Sequence, residues 1–313
     1  MLSEIIKVFY NKRMKNEPVK HHYIPQFLIK NFSDKKDGYV WYYTKQSEEP
    51  SLKHCSEIFV YKNLYRDEIN SPGEPTKIEN DLSAFEREMS EIINKLLVGS
   101  DIVLNIEEYE KTKLFFSIMA FRSSNAYKIF SKRLSKEGEE FFSFYQGNED
   151  FVDFWKRNLG HLVNCRSIKE VLLHDKIDKP IKAFMTRDTF GLTGLFISIV
   201  ERRGDEDFFL SDIYPLMFSG ETPDGKSMLL YSIVPISSER ALIFASNGIV
   251  SARLQERFFG DNIFRKPMPL GNRQLQLHVK KVYERDVHFI NSEIVKYFEE
   301  AAFKEKDKFK YFD

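Results

Sequence analysis

The chain has little cysteine, no net charge and no long apolar run, and each shortage removes a class of protein. Cys55 and Cys165 are its two cysteines in 313 residues, far apart and in no CxxC pair. That excludes a disulfide-stapled fold and a cysteine-built structural zinc site, and it points to a reducing, cytoplasmic location. Lysine plus arginine equals aspartate plus glutamate at 47 each, so no excess charge draws the chain to a polyanion. A local basic face for nucleic acid survives such neutrality. No stretch reaches the roughly 18 apolar residues of a membrane span. Residues 1–17 carry Lys7, Lys12, Arg13 and Lys15 without the apolar core of a signal peptide. The dinucleotide GxGxxG, phosphate-loop, GxSxG and HExxH patterns are missing, as are internal repeats and low-complexity segments.

What is present is an aromatic-rich core composition: 42% hydrophobic residues, with 29 Phe and 15 Tyr. The densest chemistry lies in Lys20-His21-His22-Tyr23-Ile24-Pro25-Gln26-Phe27-Leu28-Ile29-Lys30-Asn31-Phe32. Ile24 precedes proline and is pushed towards extended backbone, while Pro25 suits the first position of a helix. The spacing predicts an extended segment over 20–24 and one or two helical turns over 25–32. Neighbouring side chains of an extended segment point to opposite faces, so one histidine reaches a given site. His22, with the parity of Ile24, is placed on the buried side, and the alternative is a core histidine beside a solvated one.

Periodicity predicts further strands at 39–44, 57–61, 208–210, 228–236 and 241–245, with a brief one at 288–290. It predicts helices at 2–14, 76–98, 106–134, 137–145, 149–163, 167–185 (with Pro180 as a kink or boundary), 272–284 and 292–303. The fold class read from this is α+β: a mainly helical body with small antiparallel strands from the N-terminal and C-terminal thirds. Residues 1–19 are an extension, 20–303 a single domain with a sub-boundary near 187–205, and 304–313 a Lys-rich tail.

Charged residues on apolar stripes mark the candidate site. Glu79, Leu82, Glu86, Met89 and Ile93 are spaced 3, 4, 3, 4, so two carboxylates share a helix face with core-type side chains. Asp81, Glu88 and Glu91 fall off that stripe. Phe115, Ile118 and Arg122 lie at i, i+3, i+7 on the next helix. A buried charge without a partner costs several kcal/mol, roughly. Arg122 is therefore expected to meet Glu79 or Glu86, either as an ion pair that locks the helices or as part of a polar pocket with His22. Asp212 follows Phe208-Phe209-Leu210-Ser211 at a strand end and is either a site carboxylate or a turn residue.

His21-His22-Tyr23-Ile24-Pro25 is like the start of a His-Asn-His nuclease motif, but after Asn63 the next histidine is His161. The opening motif with Val40-Trp41-Tyr42, Ile78-Glu79, Phe85-Glu86, Phe121-Arg122, Phe209-Leu210-Ser211-Asp212 and Pro235-Ile236-Ser237 resembles domain-of-unknown-function family 4238 over about residues 20–290. Ile213 stands where the family has Asn after the Asp. The resemblance implies that His22, Glu79, Glu86, Arg122 and Asp212 coincide with family motif positions, and that an anti-phage or toxin-like role fits.

The enzyme this predicts is a metal-dependent hydrolase, a nuclease or phosphodiesterase. Glu79, Glu86 and Asp212 would hold Mg²⁺ or Mn²⁺ through oxygen. His22 would act as general base or ligand, and Arg122 would stabilise phosphate charge. His21 and Gln26 are assigned to substrate. Expected partners are nucleic acid or a nucleotide, and a second copy or another protein, but no membrane. The other reading is a non-catalytic sensor or interaction protein in which the same groups form a structural network.

Overall fold

The computed structural model describes residues 20–33, 37–131, 149–186, 195–221, 227–246 and 265–306. The expected helices at 2–14 and 137–145, and most of the Lys-rich tail, lie outside them. Strand β1 (Lys20–His22) pairs antiparallel with β4 (Val60–Lys62), setting His21 opposite Tyr61 and His22 opposite Val60. Helix α1 (Gln26–Lys30) follows β1 directly and buries Leu28 and Ile29. Between them come β2 (Tyr39–Thr44) and β3 (Ser51–His54), which pair antiparallel.

Helix α2 (Lys77–Leu96) forms where the apolar stripe runs, and Ile78, Leu82, Phe85, Met89, Ile92, Ile93 and Leu96 are all buried. Just beyond it, Gly99 takes φ +82°, the left-handed backbone in which helices commonly end and which glycine adopts without a Cβ penalty. After β5 (Asp101–Asn105) comes α3 (Ile106–Phe121). It opens on a reciprocal cap: Asn105 Oδ1 accepts from the Glu108 N–H at 2.8 Å, and Glu108 Oε2 accepts from the Asn105 N–H at 3.0 Å. From Thr112 to Phe121 every residue of α3 is buried, so this helix runs through the core. The single helix expected over 106–134 instead breaks at Arg122 and Ser123, and α4 (Ser124–Ser131) follows. Next are α5 (Phe151–Leu162), α6 (Ile168–Leu173) and α7 (Lys179–Thr186). Pro180 lies in the first turn of α7, where its missing N–H has no helical partner to lose.

The last third overturns the mainly helical expectation. Strands β6 (Leu195–Arg202), β7 (Leu210–Ser211), β8 (Leu216–Glu221), β9 (Ser227–Pro235), β10 (Arg240–Ser246), β11 (Met268–Pro269) and β12 (Gln274–Val282) precede α8 (Glu284–Tyr297) and β13 (Glu300–Phe303). Six of these strands make a sheet in the order β11-β12-β6-β10-β9-β8, and β5 pairs with β12 as its seventh member. The sheet is mixed, because β12 runs parallel to β6 while the other pairs are antiparallel. A second sheet, β3-β2-β13-β7, threads the C-terminal strand between N-terminal and late strands. The fold is therefore α+β with three sheets and is not a helical body with minor strands.

The physical reasons are local. Residues 272–284 were expected as helix, but Leu275, Leu277 and Val279 alternate with Gln276, His278 and Lys280, the period-two pattern of a strand. Residues 288–290 lie inside α8, whose buried Val287, Ile290, Asn291 and Ile294 follow the helical period. The interval 187–205 contains β6, buried from Leu195 to Val200 and set between β10 and β12. Such a continuous apolar run suits a strand covered on both faces. No helix among the described residues is long and apolar enough to cross a membrane.

Candidate active site

An open cleft of about 790 Å³ lies between α1 and α2. His22, Gln26, Phe27 and Lys30 form one wall, and Glu79, Ser83, Glu86, Arg87, Ser90 and Glu91 form the other. Local chain geometry sets both walls. Pro25 starts α1 directly behind β1, so His22 and Gln26 end up side by side. On α2 the residues 79, 83, 86, 87 and 90 fall on one helical face.

His22 donates Nε2–H to the Cys55 carbonyl at 3.2 Å, because a carbonyl only accepts. Its Nδ1 is then the unprotonated nitrogen and accepts from Gln26 Nε2 at 3.4 Å. Burial, and then the nearby Arg122 charge, hold the imidazole down at about 4, the backbone hydrogen bond opposing them, so His22 is neutral at pH 7. An imidazole fixed through one nitrogen by a backbone carbonyl presents the other for a proton or a ligand.

Glu79 behaves in the opposite sense. Burial pushes its carboxyl up to about 7, with the Arg122 charge lowering it and Glu86 raising it. Glu86 Oε1 accepts from Arg122 Nη1 at 2.7 Å, so the ion pair predicted from the two apolar stripes is present.

Arg122 itself does not line the cleft. It is 1% exposed and makes every contact inward. Nη2 donates to the His22 carbonyl at 2.8 Å and Nε to the Tyr23 carbonyl at 3.3 Å, and the guanidinium lies 5.6 Å from the Tyr65 ring centroid. Its role as a phosphate-stabilising group is therefore corrected: it fixes the His22 and Tyr23 carbonyls and one site carboxylate from behind.

His21 is the buried histidine, at 0% exposure. Its Nδ1 accepts from the Tyr65 N–H at 2.9 Å and its ring stacks on Tyr65. It does not line the cleft, so its assignment to substrate is corrected as well. Strand parity failed here because β1 ends at His22 and the chain bends at Tyr23 and Ile24. Alternation counts only within a strand.

Asp212 is separated from the carboxylates it was expected to join. It lies beside β7, accepts from the Glu299 and Glu300 N–H groups through Oδ1 at 2.9 and 3.1 Å, and lines a different cavity. Among the described residues, no group of three or more His, Cys, Asp or Glu side chains is arranged to hold a metal ion. Glu86 is committed to Arg122, and the third carboxylate is elsewhere. The three carboxylates expected to hold Mg²⁺ or Mn²⁺ therefore do not converge: Glu79 and Glu86 share this cleft and Asp212 does not.

Sequence reasoning missed Phe27, Lys30, Ser83, Arg87, Ser90 and Glu91. The signal for several was available: one turn of helix added on either side of Glu79 and Glu86 reaches Ser83, Arg87 and Ser90. Lys30 and Arg87, one from each wall, make no ion pair or hydrogen bond through their side chains with any described residue. A family model described as "Protein of unknown function (DUF4238)" matches residues 20–306. No curated protein and no solved structure matches the chain.

Proposed function

This chain belongs to the DUF4238 family of proteins of unknown function, and from its cleft we propose that it is a hydrolase of phosphodiester bonds, a nuclease or phosphodiesterase. One observation carries the reading. A carboxyl raised to about 7 (Glu79), an ion-paired carboxylate (Glu86) and a neutral imidazole whose Nδ1 is held only by Gln26 at 3.4 Å (His22) share one open cleft with Lys30 and Arg87, two cations unpaired among the described residues.

The roles follow from that arrangement. Lys30 and Arg87 bind phosphate oxygens from opposite walls, and Phe27 offers a ring face to a base. The attacking hydroxyl displaces the Gln26 amide from His22 Nδ1, which accepts its hydrogen bond and orients it. Glu79 takes that hydroxyl's proton as the new phosphorus–oxygen bond forms. It returns the proton to the leaving oxygen as the old bond breaks. A group near neutrality in proton affinity does both efficiently at pH 7. Arg122 is a positioning residue that keeps Glu86 and the His22 main chain in place.

The test is turnover of single-stranded RNA, single-stranded DNA and bis(p-nitrophenyl) phosphate by the purified chain, with and without EDTA. Expected is cleavage of at least one substrate, retained in EDTA where Glu79 and His22 carry the proton transfer as described. Glu79→Gln should lower kcat by about 10²-fold or more, the usual share of a general base. Absence of turnover on all three, or unchanged rates in folded Glu79→Gln and His22→Ala, would overturn the reading. Growth arrest on expression of the wild type but not of Glu79→Gln would support the toxin-like role.

A second reading is a non-catalytic module. It is favoured by Arg122, whose three nitrogens are all spent on internal acceptors. In that case Glu79→Gln leaves any ligand binding intact and changes stability alone.

A further inference from the structure

A second cavity, of about 530 Å³, lies between α4, the turn after β7, and α8. Its volume is that of a small-molecule site. Four aromatic residues line it: Phe184, Tyr214, Phe218 and Tyr297. Its two charged lining residues are both acids, Asp212 and Glu293, and no basic side chain among the described residues lines it. Glu293 is already paired with Lys296 one turn further along α8.

Asp212 is different. The residue is 1% exposed. Oδ1 takes both backbone N–H groups, from Glu299 and Glu300, while Oδ2 accepts no hydrogen bond from any described residue. Asp212 lines the cavity, and a carboxylate oxygen with lone pairs to spare there can accept from a bound molecule.

We propose that this cavity binds a small organic ammonium, its cation on Asp212 and its apolar body against the four aromatic walls. Carboxylate and ring faces are both complementary to an organic cation, the carboxylate by charge-assisted hydrogen bonding and the rings by their quadrupoles. An anion would meet two acids and no base. A wholly apolar ligand would make no use of Oδ2. Burial raises the proton affinity of the Asp212 carboxyl, the two N–H bonds and the Lys128 charge lower it, and the Glu300 charge raises it. The site is separate from the cleft of His22 and Glu79, and it stands whether or not that cleft is catalytic.

Calorimetric titration of the full chain with 2-phenylethylamine, its N-trimethyl derivative and the neutral isostere 2-phenylethanol tests the proposal. Saturable one-to-one binding of at least one cation is expected, at least tenfold tighter than the alcohol. Asp212→Asn, which keeps an oxygen for the two N–H donors, should erase that preference. If it fails to fold, Met217→Trp fills the cavity from β8 and should abolish cation binding while the melting transition persists. Failure of both cations to bind, equal affinity for the alcohol, or unchanged binding in folded Asp212→Asn would overturn it.

Discussion

Glu79 and His22 carry opposite pH signatures because burial disfavours charge on each. The Glu79 carboxyl is raised from 4.5 to about 7. Its neutral form is favoured on folding, so that contribution is full below about pH 4.5 and is lost as pH rises through about 7. Glu79→Gln should therefore stabilise the chain by about 3 kcal/mol at pH 8 and by nothing at pH 4. Urea titrations at the two pH values check this. The same carboxyl acting as base requires the rate of hydrolysis to climb with pH and level off above about 7. A flat profile from pH 5 to 8 would remove Glu79 from that role. His22 is lowered from 6.5 to about 4. Its contribution is present above pH 6.5 and is lost as pH falls through about 4. An NMR titration should show one histidine unprotonated at pH 5. Arg122→Ala should cost about 3–5 kcal/mol, because it strands Glu86 and two main-chain carbonyls. Arg122→Lys should recover part of that, since one ammonium cannot span the acceptors in the same fork.

At the scale of elements, α3 depends on its cap and β12 on its alternation. Asn105→Ala removes the acceptor for the Glu108 N–H and should cost about 1 kcal/mol in chemical denaturation. Helix α2 was legible from its stripe, and so was the pairing of Arg122 with one of its carboxylates, because a charge on an apolar face demands a counter-charge. Strands β2, β9 and β10 were legible from β-branched and aromatic runs. Residues 274–282 were misread as helix, 288–290 as strand and 300–303 as the end of the closing helix, because Lys280-Lys281 and Phe289-Ile290 blur both periods and β13 takes its form from distant partners. Strand β5, only Asp101 to Asn105, is short and alternating, and it is held by β12 some 170 residues later. A partner that distant leaves no trace in the local pattern.

Across the whole molecule, β13 ties the ends of the chain together. It pairs with β2 on one side and β7 on the other, and its first residue also supplies an N–H to Asp212. A chain truncated after Phe298 should lose the cooperative unfolding transition seen by far-UV circular dichroism, because the second sheet is split and Phe209 loses its ring contact with Phe303. A truncated chain that melts cooperatively within a few degrees of the full one would show that β13 is peripheral.

Local spacing alone was enough to start α1 at Pro25, to put Glu79 and Glu86 on one face of α2, and to demand a partner for Arg122. These are short-range consequences of proline, helical period and charge. Tertiary structure decided the rest. It sank His21 under Tyr65, turned Arg122 inward, and carried Asp212 away from the other carboxylates into its own cavity. It also gathered strands from both ends of the chain into one antiparallel sheet. Those outcomes depend on long-range strand pairing and on which buried acceptors lie within hydrogen-bond reach, and neither is written in the spacing of neighbouring residues.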